Sequence, residues 1–334
     1  MRRKSVIVEA LEKKVSVVLC TYNGARFLRE QLESVVHQTY PLYELIAQDD
    51  GSTDGTLDIL REYEQKYAFM KVYHNEDEHG VNGNFFSAMR RATGDFISIC
   101  DQDDIWELNK IERQVEGIGD QLMCAHLTKP FSEDGSDVHF DPRLPNVGLL
   151  RTIYRPEIAG HSMLIRRDFL NLLPAKNDIY TKRMYDVILS LAAGAYERIV
   201  FLPSPLVNHR RYVSAVTYTS VKDVRPTMKN ALHMLLWSLR HYREVKRISR
   251  PHYECVKNFL EALEVDSPSK QKALKMLSFE LSQKWYDAIR FSAFCVRHRH
   301  EIFHTAQGGV QQWIRAALYP ILACYHQRFQ IKKK

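Results

Sequence analysis

The chain has 334 residues and a composition close to that of average soluble proteins, with 45% hydrophobic residues, 26% charged residues, 14 Gly and 12 Pro. This composition excludes disordered, collagen-like and disulfide-scaffold proteins. The formal charge of +7 is unevenly distributed, because residues 225–334 hold 20 Lys and Arg against 8 Asp and Glu, a net charge of +12, which leaves −5 for residues 1–224. We therefore expect a mildly acidic body with a basic C-terminal region.

The six cysteines form no CxxC pair and no zinc-type spacing with histidines, which predicts buried thiols in a reducing compartment. The N-terminus is basic, but charged residues interrupt its apolar stretch, so it lacks the hydrophobic region of a signal peptide. No apolar run reaches the ~18 uncharged residues of a membrane-spanning helix. We therefore expect a cytoplasmic protein, either free or peripheral on the cytoplasmic membrane face.

Short apolar runs alternate with amphipathic segments in the N-terminal part of the chain, the pattern of β-α-β units around a parallel sheet. Strands are predicted at 15–20, 42–48, 70–74 and 95–100, with helices after the first strand, from Asp54, and over 82–92. Residues 120–160 are predicted to be irregular, followed by strands at 158–165 and 198–202 and a helix at 181–193. From about residue 226 the pattern is helical. The elements therefore predict an α/β fold with a C-terminal helical extension.

Acidic side chains follow two of these strands at their carboxyl ends, where ligands bind in open α/β sheets. Asp101, Asp103 and Asp104 come directly after the fourth strand, and carboxylates this close repel one another unless a cation neutralises them. Mg²⁺ or Mn²⁺ would do so and would also bind substrate phosphates. The alternative is a solvated acidic turn that precedes the next helix.

The second strand ends at Asp49 and Asp50, and a carboxylate beside a phosphate site suits the N–H groups of a nucleobase or the hydroxyls of a ribose. The alternative for this segment is an Asx-type turn, with Asp54 capping the following helix. The chain contains neither a GxxxxGK(S/T) loop nor a GxGxxG motif after its first strand, which argues against an NTPase or an NAD enzyme.

Three segments in order carry a resemblance to a known family: VSVVLCTYNGARFLREQLESVVHQTY, ELIAQDDGSTDGT and NGNFFSAMRRATGDFISICDQDDIW. They resemble the nucleotide-sugar-binding half of inverting family 2 glycosyltransferases with the GT-A fold, and CDQDDIW is similar to bacterial rhamnosyltransferase-like members. The resemblance is strong over residues 14–115 and weaker to about residue 217. It implies a Rossmann-like, mostly parallel sheet flanked by helices, in a catalytic domain over 1–224 with its acceptor side at about 116–224. Residues 225–334 would form the basic helical region.

The resemblance also implies roles for individual residues. The implied nucleotide contacts are Thr21 and Tyr22 at the base, Asp50 as an acceptor for the base and Asp103 at the ribose. Asn23 belongs to the same nucleotide site, and Asn84 lies nearby, where a helix cap is an equal alternative. Asp104 would bind the metal, Mg²⁺ or Mn²⁺. Asp101 opens the literal Asp-Gln-Asp triplet of residues 101–103 and is the alternative or additional metal ligand.

The general base of the family begins a helix after the acceptor-binding segment, and KRMYDVILSLAAG is the matching stretch, so Asp186 is the candidate base. One carboxylate suffices, since the metal stabilises a nucleoside diphosphate leaving group without an acid. Without the resemblance, a first-turn aspartate favoured by the helix dipole is the simpler interpretation. The chain departs from the family at Tyr185 and at the run Asn208-His209-Arg210-Arg211-Tyr212. In that run, His209 would contact the metal or the diphosphate and Arg210 or Arg211 a phosphate, or each would be a surface residue.

The implied function is inverting, metal-dependent transfer from dTDP-rhamnose, UDP-galactose or UDP-glucose to a glycan or lipid-linked acceptor in bacterial surface polysaccharide synthesis. The basic segment that holds Trp313, Ile314, Leu318 and Lys332 predicts either helices packed on the catalytic domain or contact with an anionic membrane. Two alternatives are a noncatalytic nucleotide-binding module and a nucleic-acid binder that uses the basic region. Since no nucleic-acid motif accompanies that charge, we expect no nucleic-acid partner.

Overall fold

The fold is seen in a computed structural model that describes residues 13–135, 138–212, 228–303 and 309–326. Its strands β1 to β8 are Val15–Thr21, Glu44–Asp49, Met70–His74, Phe96–Cys100, Ile105–Trp106, Met123–Ser132, Leu164–Arg166 and Ile199–Arg211. Its helices α1 to α12 are Ala25–Val36, Thr56–Lys66, Val81–Arg91, Lys110–Ile118, Leu149–Tyr154, Ile179–Lys182, Tyr185–Ala195, Met228–Ala262, Pro268–Leu281, Trp285–Arg297, Arg299–Ile302 and Val310–His326. Short 3-10 turns cover Gly160–Ser162 and Arg167–Leu172. The α/β fold expected from the sequence is confirmed.

The described strands form one sheet in the order β3-β2-β1-β4-β7-β6-β8-β5. Strands β3, β2, β1 and β4 are parallel, as the β-α-β pattern predicts. β7 is antiparallel to both β4 and β6, β6 is parallel to β8, and β8 is antiparallel to β5. The sheet is thus parallel in its N-terminal half and mixed beyond β4.

Several predicted boundaries differ from those observed; the strand predicted at 198–202, for example, is β8 and continues to Arg211. The predicted strand at 158–165 is a strand only over Leu164–Arg166, because its first part is the 3-10 turn Gly160–Ser162. The stretch predicted to be irregular contains β6, whose sequence MCAHLTKPFS mixes apolar and polar residues and includes Pro130. β6 exists because it pairs with β8 along its whole length, with register shifts near Leu127.

Helices cover both faces of the sheet, which is why its central strands are continuously apolar. On β1, Val15, Val17 and Leu19 pack into one buried cluster, together with side chains of α1, α2 and α4. Val18 and Cys20 point to the opposite face and pack against α3 and α7. Both layers end at the carboxyl edge of β1, β2 and β4, where the polar loops begin.

The C-terminal helices extend the second of these layers. Phe259 of α8, Leu277 of α9 and Phe303 belong to the same buried cluster as α5 and α7 of the α/β body. A buried polar contact accompanies this packing: Tyr154 Oη donates to Glu280 Oε2 at 2.9 Å, and Lys246 Nζ pairs with Glu280 Oε1 at 2.6 Å. All six cysteines are buried. Within the described ranges, none of the helices is both long enough and apolar enough to span a bilayer.

Gly160 is required by its neighbour, since a Cβ added there would lie 1.9 Å from Tyr185 Oη. We expect Gly160→Ala to lower the free energy of unfolding by ~1–3 kcal/mol, as overpacked sites do. In a Tyr185→Leu background, which removes the clashing ring, the same change should cost less than ~1 kcal/mol. Urea unfolding of the four chains measures both values.

Gly55→Ala is the matched control, because its new Cβ would meet nothing closer than Ala25 Cβ at 3.9 Å. It should change the free energy of unfolding by less than ~0.5 kcal/mol. Equal costs for Gly160→Ala in both backgrounds would show that contact with Tyr185 is not what requires the glycine.

Candidate active site

The loops after β1 and β2 are locked together by hydrogen bonds around Asn23. Asn23 has φ +49°, in the left-handed region that asparagine tolerates better than most residues. In this conformation its backbone N–H donates to Ser52 Oγ at 2.8 Å, and its Oδ1 accepts from Thr53 N at 2.8 Å. The next residue, Gly24, donates its N–H to Thr56 Oγ1 at 2.9 Å. The two loops therefore form a single platform at the carboxyl edge of the sheet.

Thr21 and Asn84 support this platform from below. Thr21 is 1% exposed, and its hydroxyl donates to Asp49 Oδ1 at 2.8 Å. Asn84 is also buried: its Oδ1 accepts from Gln48 Nε2 at 3.0 Å and its Nδ2 donates to the Thr21 carbonyl at 3.4 Å. Both side chains are therefore enclosed beneath the platform rather than exposed on it.

Asp50 lies at the rim of the platform. Its carboxylate accepts from Asn75 Nδ2 at 2.7 Å and Gly80 N at 2.7 Å, and lies 2.9 Å from His79 Nδ1. Partial burial alone would raise the pKa of Asp50, but these hydrogen bonds outweigh it and lower the pKa from its usual value. Asp50 is therefore an ionised acceptor that also holds the loop after β3 in place.

Gln102, which was not predicted as a site residue, connects the platform to the acidic loop after β4. Its Oε1 accepts from Tyr22 N at 2.8 Å, and its Nε2 donates to Tyr22 O at 3.1 Å. A Cβ at residue 24 would lie 2.3 Å from the same Oε1, so Gly24 leaves room for the contact. This amide pair fixes the backbone of Tyr22, whose side chain is 58% exposed at the rim. The only sequence signal for Gln102 is its position inside the DQDD group.

The structure brings Asp104, His161 and His209 together behind that loop. One potential metal-ligand atom from each residue lies within 4.8 Å of the others. His209 Nδ1 is 3.0 Å from Asp104 Oδ1, and His161 Nδ1 is 3.1 Å from Asp104 Oδ2. The two imidazole rings stack with their centroids 4.7 Å apart. His161 was not predicted from the sequence, because nothing near Gly160–Ser162 indicates a ligand.

The charges of this cluster explain the pKa values of its members. Burial alone would lower the pKa of His161, but the charges of Asp104 and Asp101 outweigh it and raise the pKa to about 9. Burial would likewise raise the pKa of Asp104, but His161, His209 and the N–H of Arg210 lower it. Asp101 Oδ2 lies 3.2 Å from His161 Nδ1, which brings a second carboxylate to the edge of the cluster.

Asp103 contacts Tyr212, whereas Asp104 contacts the two histidines. Asp103 Oδ2 accepts from Tyr212 Oη at 2.7 Å, while burial and the charges of Asp104 and Asp101 raise the pKa of Asp103 to about 6. Arg210 is almost fully buried and is held by Glu30 and Glu133. Its Nε also donates to the Asp103 carbonyl at 2.9 Å, so Arg210 supports the acidic loop from within the protein.

Asp186 lies in the first turn of α7, close enough to Asp101 and His161 for their charges to affect its ionisation. Burial is the largest effect and raises the pKa of Asp186 to about 6. The start of this helix is held by Asn82 of α3, whose Oδ1 accepts from Tyr185 N at 2.8 Å and whose Nδ2 donates to the Tyr180 carbonyl at 2.6 Å. Asn82 therefore positions the helix that carries Asp186, a contact between distant segments that no local pattern predicts.

Comparison with known proteins finds a family model that matches part of this chain. Residues 16–173 match the family model described as Glycosyl transferase family 2. The chain is 37% identical over 102 residues to the putative teichuronic acid biosynthesis glycosyltransferase TuaG of Bacillus subtilis (strain 168), a stretch covering 30% of this chain and 40% of that protein. The chain thus spans less than half of the length of that relative.

Solved structures match the fold over nearly the whole chain. S. aureus TarS 1–349 in complex with UDP-GlcNAc has a TM-score of 0.54 at 16% identity, covering 95% of this chain and 92% of TarS 1–349. The mannosyltransferase PcManGT from Pyrobaculum calidifontis, in complex with GDP-Man and Mn²⁺, has a TM-score of 0.53 at 16% identity, covering 95% and 88% of the two chains. Residues 16–173 of this chain are thus similar to family 2 glycosyltransferases, and its fold is that of GT-A glycosyltransferases.

Proposed function

We propose that this protein is an inverting, metal-dependent glycosyltransferase that uses a nucleotide sugar in bacterial surface polysaccharide synthesis. The observation that carries the proposal is the cluster of Asp104, His161 and His209 at the carboxyl edge of the sheet, with Asp186 near enough for the charge of His161 to affect its ionisation. A site for a metal-bound diphosphate would then adjoin a carboxylate with a pKa near the working pH of an enzyme. Similarity to TuaG, a putative glycosyltransferase of teichuronic acid biosynthesis, supports the same class of reaction.

The platform of the β1 and β2 loops is the proposed nucleotide site. Tyr22 offers an exposed ring for the base, Asp50 an ionised acceptor, and Asp103 a carboxylate for the ribose, with Asn23 holding the loop in shape. The buried Thr21 and Asn84 would act through this scaffold. UDP-GlcNAc in TarS and GDP-Man in PcManGT widen the range of donors to screen beyond dTDP-rhamnose, UDP-galactose and UDP-glucose.

The cluster behind the acidic loop fits a divalent cation. His161 Nε2 is buried and makes no hydrogen bond within the described residues, and Asp104 Oδ2 has only its ion pair with His161 Nδ1 at 3.1 Å. A buried polar atom without a hydrogen bond is costly unless another partner satisfies it. One carboxylate and two imidazoles suit Mn²⁺ better than Mg²⁺, which prefers oxygen ligands only. Asp104, His161 and His209 would hold the ion, with Asp101 next to them. When bound, the ion would stabilise the negative charge of the diphosphate leaving group.

Asp186 is the proposed general base. As a carboxylate it would accept the proton of the acceptor hydroxyl while that oxygen attacks the anomeric carbon from the face opposite the diphosphate, which inverts the configuration. Burial raises the pKa of Asp186 to about 6, which makes it a stronger base than an exposed aspartate. Asn82 and the packing of Tyr185 against Phe85, with ring centroids 4.1 Å apart, hold the start of α7 in place for this role.

Metal binding is tested by titrating the full chain with Mn²⁺ and by assaying nucleotide-sugar hydrolysis. We expect Asp104→Ala and His209→Ala each to weaken Mn²⁺ binding by more than ~10-fold and to abolish hydrolysis, because each removes a ligand. Asp58→Asn, an exposed aspartate of α2, is the control and should behave as the wild type. Turnover that survives both Asp104→Ala and excess chelator would rule out the metal role.

The base role predicts a specific loss of turnover. Asp186→Asn should lower kcat by ~10²- to 10⁴-fold while UDP binding stays unchanged, because the amide cannot take up the proton. In the wild type, activity should fall as the pH drops through about 6, where Asp186 becomes protonated, and level off above it. The exposed Asp178→Asn is the control. Unchanged turnover in Asp186→Asn, or UDP binding with no turnover in the wild type, would favour the noncatalytic module instead.

We also propose that the basic helical region contacts an anionic membrane, which suits a lipid-linked acceptor. On α8, Leu232, Leu236 and Leu239 are 64%, 59% and 53% exposed. Arg240, Arg243 and Arg247 are also exposed and continue the same face, because all six positions fall within about 100° of arc at ~100° per residue. Trp313 and Ile314 of α12 are exposed as well, whereas Leu318 is half-buried and Lys332 lies outside the described residues. Leucines beside arginines complement acyl chains beside anionic headgroups.

Co-sedimentation with vesicles that contain phosphatidylglycerol tests this contact. Replacing the three arginines by Gln should weaken binding by ~10²-fold, from about 1 kcal/mol per residue, and replacing the three leucines by Ser should weaken binding to every vesicle. Ile289→Ser, at a 63% exposed residue of α10, is the matched control. Equal sedimentation of all these variants would contradict the proposal.

A further inference from the structure

A polar cavity adjoins the cluster of Asp104, His161 and His209. Its volume is about 580 Å³, and His209 and Ser162 form part of its wall. Arg151 of α5, Arg155 just after that helix, and Arg315 of α12 also line it. Within the described residues, the platform residues Tyr22, Asp50 and Gln102 take no part in its lining. The cavity therefore shares the reacting edge of the site with the donor but not the donor's nucleotide pocket.

The three arginines concentrate positive charge in this cavity. Arg151 pairs with Glu157 at 2.6 Å, and its side chain is 7% exposed. Across the described ranges, Arg155 and Arg315 make no ion pair with a carboxylate. Burial and the charges of Arg151 and Arg155 lower the pKa of Arg315, which places the three guanidinium groups within electrostatic reach of one another. Arg143, Arg211 and Asp141 also line the cavity, so its five arginines and two carboxylates leave three positive charges in excess.

The cavity also contains a buried donor that nothing in the described protein satisfies. Arg151 Nε is buried and has no hydrogen-bond partner among the described residues, although Nη1 of the same group donates to the Ile302 carbonyl at 3.4 Å. An unsatisfied buried donor and clustered like charges both destabilise a protein unless a ligand compensates them. An oxyanion in the cavity would relieve both effects at once.

The excess charge selects among oxyanions. A phosphate group carries up to two negative charges at neutral pH, and its oxygens match the paired N–H groups of arginine in a bidentate way. A single carboxylate would leave two of the three excess positive charges uncompensated. The cavity therefore favours a phosphate or diphosphate over the carboxylate of a uronic acid.

We infer that this cavity binds a phosphate group carried by the acceptor substrate. The inference rests on the proposed function, because a cavity beside His209 but off the nucleotide platform is open to the acceptor rather than to the donor. The acceptor would be either a lipid-linked diphosphate or a polyol-phosphate chain, which present the same chemistry to Arg151, Arg155 and Arg315. Binding there would place a hydroxyl of the acceptor near the base.

Calorimetry on the full chain, without divalent metal and at constant ionic strength, tests the inference. The probes are glycerol 1-phosphate, farnesyl diphosphate and, as the carboxylate, glucuronate. We expect both phosphate compounds to bind at least ~10-fold more tightly than glucuronate. Arg155→Gln and Arg315→Gln should each weaken phosphate binding by ~10-fold or more, because each removes a charge-assisted hydrogen bond. Tighter binding of farnesyl diphosphate would identify the lipid-linked source, and tighter binding of glycerol phosphate the polymer.

Arg113→Gln is the matched control, an arginine of α4 whose side chain is 53% exposed and which lies outside the cavity. Arg155 and Arg315 are chosen because neither makes an ion pair among the described residues, whereas Arg151 also holds Ile302 and Glu157. No phosphate binding, or equal binding in Arg113→Gln, Arg155→Gln and Arg315→Gln, would overturn the inference.

A parallel titration with UDP and Mn²⁺ separates this inference from the proposed function. UDP binding without phosphate binding would reject the acceptor subsite alone. Phosphate binding without UDP binding would reject the proposed function and the acceptor assignment with it. Competition between glycerol phosphate and UDP would place both compounds in the donor pocket and would also overturn the inference.

Discussion

The negative charge that follows β4 is the constraint on which the rest of the site depends. Asp104 is fully buried, and its ionised form is stable only because two imidazoles and a backbone N–H surround it. A carboxylate in this position needs positive partners from elsewhere in the chain. The sheet order β4-β7-β6-β8 supplies them, since His161 precedes β7 and His209 lies on β8. The mixed half of the sheet thus completes a site that the parallel half begins.

The loops at this edge are fixed to one another by hydrogen bonds between side chains and backbone. Asn23 joins the β1 and β2 loops, Gln102 joins the β1 loop to the acidic loop, and Arg210 holds that loop from within. Preorganised groups of this kind lose little entropy when a ligand binds. Two side-chain amides fix the backbone at this edge in the same way. Asn82 accepts from the backbone N–H of Tyr185 at the start of the helix of Asp186, and Gln102 donates to the backbone carbonyl of Tyr22.

The uneven charge of the chain becomes a spatial arrangement in the fold. The acidic part holds the carboxylates of the proposed donor site, while the basic helices share a buried core with that part. From this position α12 contributes Arg315 to the cavity beside His209, and α8 turns an arginine-rich face outward. The basic region thus places positive charge both in the cavity beside His209 and on the exposed face of α8.

Local sequence pattern accounts for the strands and helices of the N-terminal half of the fold. Apolar runs and turn residues set β1 to β4 and the helices between them, and the placement of Asp101, Asp103 and Asp104 after β4 followed directly, as did that of Asp186 in the first turn of α7. The remaining strand pairing and the histidine contacts of the site depend on packing between distant segments. β6 is a strand through pairing with β8, His161 meets Asp101 across 60 residues, and His209 meets Asp104 across 105. Arg315 joins Arg151 only when the C-terminal helices pack onto α5. Periodicity reports which face of a segment is buried, but contacts between distant segments depend on the three-dimensional packing, so no local pattern records them.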